Sequence, residues 1–198
     1  MAQRRDARRN RARLLDAARE VFQESGAGAP LDLVARRAGV GRGTLYRNFP
    51  DRIALLAALF EERVVELEDL VATYEGDDVF ERLIAEYCRY ELAMPGFGAV
   101  LSGFGLLGHP ALEQLDEATG RLLARALERS VRAGVLRADL RAGDAPMIAA
   151  MLNGVLMSHR GDGASEALGR ALELVLDGIR APERVGAAMP EPIPGAVP

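Results

Sequence analysis

The sequence predicts an all-α chain, with a small basic domain at the N-terminus and a larger helical domain after it. Three observations carry this. Apolar residues recur at the i, i+3, i+4, i+7 spacing of a helix along most of the chain. Val and Ile are scattered, with no run of alternation that reads as a strand. Glycines and prolines fall at the joints between the periodic stretches, where helices stop and start. A chain of 198 residues is long enough to bury a core in one or two domains.

The elements follow in order. Residues 8–24 carry Leu14, Leu15, Ala18, Val21 and Phe22 on one face and end at Gly26. Leu31, Val34, Ala35 and Ala38 give a second, short helix its apolar face. Gly39 stands where a helix needs a C-terminal glycine, because only glycine enters the left-handed region cheaply. Gly41 then serves as the next N-cap, and Arg42–Phe49 makes two turns with Leu45 and Phe49 facing inward. Residues 51–73 continue from Asp51, an N-cap, through Ile53, Leu56, Phe60, Val64, Leu67 and Val71. Residues 78–94 carry Phe80, Leu83, Ile84, Tyr87, Cys88 and Leu92 and stop at Pro95. Residues 97–107 read as a short, glycine-rich, imperfect helix. Residues 110–133 open with Pro110 in the first turn, with Glu113, Asp116 and Glu117 early and Arg125, Arg129 and Arg132 late, an order that complements the helix dipole. Residues 144–159 and 164–180 are the last two helices, and the proline-rich stretch 182–198 reads as a mobile tail.

The segment Leu31–Phe60, LDLVARRAGVGRGTLYRNFPDRIALLAALF, holds the chemistry. Two short helices joined by a glycine turn form a helix-turn-helix. With Leu45 and Phe49 inward, the second helix presents Arg42, Thr44, Tyr46, Arg47 and Asn48 outward. Guanidinium, hydroxyl and amide groups on one short helix suit phosphates and base edges.

The run AGVGRGTLYRNFPDR, residues 38–52, resembles the DNA-binding signature of TetR-family transcriptional regulators. Ala38, Gly39, Val40, Gly43, Thr44, Tyr46, Phe49 and Arg52 match it, and the likeness extends over roughly residues 8–60. The resemblance implies an all-α protein with an N-terminal three-helix helix-turn-helix domain, residues 1–52. A C-terminal helical ligand-binding and dimerisation domain, 53–181, and the tail, 182–198, would follow. It implies a regulator, a repressor by expectation, that leaves a palindromic double-stranded DNA operator when a small, mostly apolar effector binds. Thr44 and Tyr46 would contact phosphate, Arg42, Arg47 and Asn48 would reach base edges, and Arg52 would pair with phosphate. Two positions depart from the pattern. Pro30 stands where a threonine often starts the second helix, and Gly41 where a serine caps the recognition helix, so two hydroxyls are missing.

Charge separation agrees. Residues 1–52 hold 12 Arg against 6 acidic residues, a net of +6, whereas residues 53–198 carry −10. A basic end on an acidic body suits contact with a polyanion at one face. No apolar run reaches the roughly 18 residues of a membrane span. The arginine-rich N-terminus lacks the hydrophobic stretch of a secretory signal, so a cytoplasmic location is expected. The single cysteine, Cys88, excludes an internal disulfide and a cysteine-rich zinc site. It sits on an apolar face beside Glu86 and Glu91, a poor setting for a reactive thiolate. His109 and His159 lack metal-ligand spacing, and neither a metal nor another cofactor is expected.

The rest of the chain prompts three readings. The uncharged helix Pro146–Ser158 needs cover on both sides, by its own domain and by a partner. With the stripe Leu168, Leu172, Val175 and Ile179 on helix 164–180, it predicts a homodimer through helices 144–159 and 164–180. Ala149, Ala150 and Gly154 would allow close approach. Phe60, Tyr87, Tyr90, Glu91, Phe97, Phe104 and Met151 are the candidate effector-binding residues. Gly103–Gly108 matches GxGxxG literally, which offers a nucleotide-binding enzyme as an alternative, but the strands that such a site needs are missing on both sides. A helical adaptor whose basic end meets an acidic protein is the other alternative. No nucleophile–base constellation appears, and the expectation is that the chain is not an enzyme.

Overall fold

The computed structural model describes residues 2–94, 110–159 and 163–185. Among them lie eight α-helices: α1 (Ala2–Ser25), α2 (Leu31–Arg37), α3 (Arg42–Asn48), α4 (Arg52–Thr73), α5 (Val79–Ala93), α6 (Pro110–Arg132), α7 (Asp144–Ser158) and α8 (Gly163–Ile179). A 3-10 turn, Pro182–Arg184, follows, where the sequence reading has the tail begin. Among the described residues the only β pairing is a single antiparallel bridge, Leu136 to Arg180. The expected helix at 97–107 and the Gly103–Gly108 motif lie outside the described residues.

The chain divides into two compact units, one made of residues 1–63 with 94–115, the other of 64–93 with 116–198. In the first unit Leu14, Leu15, Ala18, Val21 and Phe22 are buried, the stripe that the helical spacing defines. Helix α1 starts at Ala2 rather than at residue 8. The apolar stripe sets the helix's buried part, but the arginine-rich residues before it are also good helix formers. Gly26 ends α1 at φ +77°. Gly39, at φ +64°, ends α2. The Gly39 N–H donates to the Arg36 carbonyl and the Val40 N–H to the Ala35 carbonyl, both at 3.0 Å. These are the paired bonds of a Schellman turn. Arg37 fastens α2 to α1 through Glu20 (2.9 Å) and Glu24 (2.7 Å).

In the second unit, Leu67, Phe80, Leu83, Ile84, Leu122, Leu123, Ala126, Leu127, Ile148, Leu152, Leu168, Leu172 and Leu176 belong to one buried cluster contributed by α4–α8. The α4–α5 connection is held by α6. The Arg129 guanidinium donates to the carbonyls of Val71 (3.2 Å), Gly76 (2.9 Å) and Tyr74. Ser130 Oγ donates to the Asp77 carbonyl (2.7 Å) and accepts from the Phe80 N–H (3.2 Å). The bond to Val71 satisfies a carbonyl that the end of α4 leaves open, and the bond from Phe80 a donor that the start of α5 leaves open. Arg180, just past α8, makes a two-pronged pair with Glu81 in the first turn of α5, Nε–Oε1 3.0 Å and Nη2–Oε2 2.7 Å. Both side chains are buried, 2% and 6% exposed.

Candidate nucleic-acid interface

Helix α3 has seven residues, too few to be stable alone. Leu45 and Phe49, 1% and 2% exposed, anchor it in the first unit. Its N-cap is Gly41 in extended geometry, and its first turn has no side-chain cap. The N-cap of α2, Pro30, likewise offers no side-chain bond. Both missing hydroxyls are thus real features of the surface. Asp51 caps α4, accepting from the Ala54 N–H at 2.8 Å.

Of the residues expected to meet DNA, Arg42, Tyr46 and Arg47 are exposed, and Thr44 and Asn48 are half-buried. Several are engaged within the domain. Arg47 Nη2 donates to Thr44 Oγ1 at 3.1 Å, which pre-orients the guanidinium along the helix. Asn48 Nδ2 donates to the Thr44 carbonyl at 2.7 Å, so its amide closes the last turn of α3 in this state. Arg52 donates through Nη1 to the Ala27 carbonyl at 2.7 Å, which ties α4 to the α1–α2 loop. The guanidinium keeps further N–H donors, so a phosphate contact and this bond are compatible. Arg42 Nε pairs with Asp32 Oδ1 at 2.8 Å, a carboxylate on α2 that the sequence reading did not include. Nothing in the spacing of residues 32 and 42 signals that pair; the glycine turn brings them together. Pro30, Asp32, Arg42, Tyr46, Asp51 and Arg52 line an open groove of about 450 Å³ with Leu31 and Pro50. Its walls combine the starts of α2 and α4 with the exposed side of α3, a place where backbone N–H groups and guanidinium groups converge.

The expected effector residues are less united. Tyr87, Tyr90 and Glu91 share α5, at i, i+3, i+4, in the second unit. Tyr87 packs against that unit's core and Glu91 is buried. Burial, with the Glu91 carboxylate adding to it, pushes the Tyr87 phenol well above its ordinary range, so it stays neutral. The same causes push the Cys88 thiol up to about 12. A protonated, buried thiol is neither a nucleophile nor a redox sensor. Phe60 is half-buried in the first unit. Phe97 and Phe104 lie outside the described residues. Met151 is 51% exposed and shares the outer face of α7 with Met147, 60% exposed, so it does not line the core of its own unit. The uncharged stretch Pro146–Ser158 of α7 gives no signal of which side faces in; the structure buries Ala145, Ile148 and Leu152. Among the described residues no group of three His, Cys, Asp or Glu side chains is placed to hold a metal ion.

Comparison with known proteins sets this geometry in a family. The sequence pattern of bacterial regulatory proteins of the tetR family matches residues 14–59, which cover α2, α3, the second half of α1 and the start of α4. A TetR transcription regulatory protein from Mycobacterium vanbaalenii is 34% identical, with 90% of this chain and 99% of that one aligned and a TM-score of 0.61. The chain belongs to the TetR family. SmeT, the repressor of a Stenotrophomonas maltophilia multidrug efflux pump, has also been solved in complex with triclosan. That complex is 25% identical at a TM-score of 0.60, with 93% of this chain and 99% of that one covered. An uncharacterized helix-turn-helix regulator of Pseudomonas putida, TtgW, is 42% identical over 64 residues, 32% of this chain. The match spans about half, 48%, of that relative's length. The family match thus falls on the helices that carry the helix-turn-helix, α1 to the start of α4.

Proposed function

We propose that this TetR-family chain is a homodimeric, DNA-binding transcriptional regulator of the cytoplasm. It acts as a repressor on a near-palindromic operator and releases it when a small, mostly apolar effector binds the C-terminal helices. The observation that carries the DNA-binding reading is α3 itself. Two buried anchors fix the helix, and Arg42, Tyr46 and Arg47 stand out from it beside the groove at Pro30 and Asp51. Tyr46 and Arg52 supply phosphate contacts, and Arg42, Arg47, Thr44 and Asn48 face the base edges and adjoining backbone.

The dimer is supported by the unpartnered face of the last two helices. Met147, Met151 and Met157 on α7 and Leu174 on α8 are at least half exposed. Apolar side chains at this density on neighbouring helices favour cover by a second copy. The effector reading is supported by the neutral phenol of Tyr87 and the buried carboxylate of Glu91, two polar groups one turn apart on α5. Helix α4 is continuous from Arg52 to Thr73 and contributes to both units, so it is the element through which an effector would act on DNA.

Selection of genomic duplexes tests the reading. The recovered sites should be near-palindromic, with half-site centres about one helical turn apart or a multiple of that. Arg47→Ala should cost roughly 1–3 kcal/mol and relax preference at particular base pairs. Tyr46→Ala should weaken binding to all sequences alike. A non-palindromic duplex bound as tightly at equal salt refutes the dimeric readout.

A further inference from the structure

We propose that the first half of α1, residues 2–13, is a second DNA-contacting element that lies along the phosphates flanking the recognition-helix site. This rests on the DNA-binding function proposed above.

Helix α1 is 24 residues long, yet its first buried side chain is Leu14. Arg5, Asp6, Ala7, Arg8 and Arg9 are all exposed. Residues 2–13 hold six arginines against one acidic residue, Asp6. That carboxylate already pairs with Arg9 at 2.7 Å. Arginines cluster at the positive end of a helix dipole, where cations are unfavourable. A helix segment without a core face, with self-repelling charge at its unfavourable end, has little to stabilise it alone. A polyanion alongside removes the repulsion, and Arg5, Arg8 and Arg9 share one face at i, i+3, i+4 to meet it.

The base of the segment is tied to the helix-turn-helix. The Arg11 guanidinium sits 4.8 Å over the ring of Phe49, the residue that ends α3. Arg13 lies against the α2–α3 turn, where a Cβ added at Gly39 would meet its Nη2 at 2.8 Å. The segment therefore leaves the domain beside the recognition helix, continuous with the proposed interface. Twelve helical residues reach about 18 Å, enough to follow a duplex backbone past the half-site. Guanidinium groups grip phosphates in two-pronged fashion without reading sequence, so the element adds affinity and footprint rather than specificity.

The test is the salt dependence of binding by the triple variant Arg5→Gln, Arg8→Gln, Arg9→Gln, which keeps residues of good helix propensity at exposed positions. The probes are a random-sequence duplex of about three helical turns and the duplex recovered by selection. The slope of log K against log salt should flatten by about 2.7 per subunit, three contacts at 0.9 each. Across a fourfold rise in salt this is about a 40-fold smaller loss of affinity per subunit. The ratio of specific to random-duplex binding should stay unchanged. Trimming the flanks of the selected duplex should weaken the wild type and leave the variant indifferent. An unchanged slope in a variant that still binds the selected duplex overturns the element and leaves the regulator reading standing. A wild-type chain that binds no duplex removes both.

Discussion

Arg180→Met isolates the tie between the start of α5 and the end of α8. Removing the guanidinium leaves the Glu81 carboxylate, 6% exposed, without its two-pronged partner. Asp177, the second partner at 3.2 Å, is 42% exposed and returns to water at little cost. The hydrogen bonds to Glu81 are also the main cause that raises the Arg180 pKa, so the guanidinium stays charged. Breaking a buried pair on one side costs about 3–5 kcal/mol, because a buried charge is left uncompensated. In a chain of this size each kcal/mol lowers Tm by about 2–4 °C, which gives a drop of about 6–20 °C. The double variant Arg180→Met, Glu81→Leu removes both charges and should recover to within about 1 kcal/mol of the wild type or exceed it. Urea unfolding followed by far-ultraviolet dichroism measures all three. A single variant costing under about 1 kcal/mol, or a double variant no better than the single, would show that burial does not couple these groups.

Cys88 in the native protein should react with a thiol reagent at pH 8 far more slowly than in denaturant, because its pKa stands at about 12; rapid stoichiometric labelling of folded protein contradicts this. The sign for stability follows: the folded pKa is raised, so the neutral thiol's contribution is complete below about pH 9 and is lost as pH climbs toward 12, a decline that Cys88→Ser should reduce. Gly154→Arg tests the dimer without burdening the subunit, since a Cβ there meets nothing within 4 Å. Sedimentation should find a folded monomer, and a dimer of wild-type strength would remove α7 from the interface. Arg52→Ala should both weaken binding to every duplex and cost about 0.5–1.5 kcal/mol of stability through the lost bond to Ala27; an unchanged melting curve would leave the arginine with no structural part.

What the sequence made legible was local. The left-handed Gly39, the Asp51 cap and the inward Leu45 and Phe49 are each decided by a few neighbouring residues, and each is where the pattern puts it. The pairs that join helices were not legible. Arg52 meets a carbonyl 25 residues away and Arg180 a carboxylate 99 residues away. Periodicity says which side of a helix is apolar, not which other helix covers it. Where it is silent even on the side, as along the uncharged stretch Pro146–Ser158, a residue such as Met151 can be placed only once the packing is known. The segment with Phe97 and Phe104 offered glycines and aromatics without a period, and periodicity had nothing to grip there.

The same division explains why a family can be read from this chain and an operator cannot. Helix α3 divides its residues between two tasks that do not compete. Leu45 and Phe49 set its position, and their burial constrains them to apolar groups of a given size. Arg42, Tyr46 and Arg47 project into solvent, where substitution disturbs no packing. The fold therefore dictates the anchors and leaves the exposed side chains free to vary. The carboxylate that pairs with Arg42, Asp32 on α2, is exposed like its partner, and the pair is worth little to stability. Its effect falls on where that guanidinium points, which matters only if the proposed interface uses it.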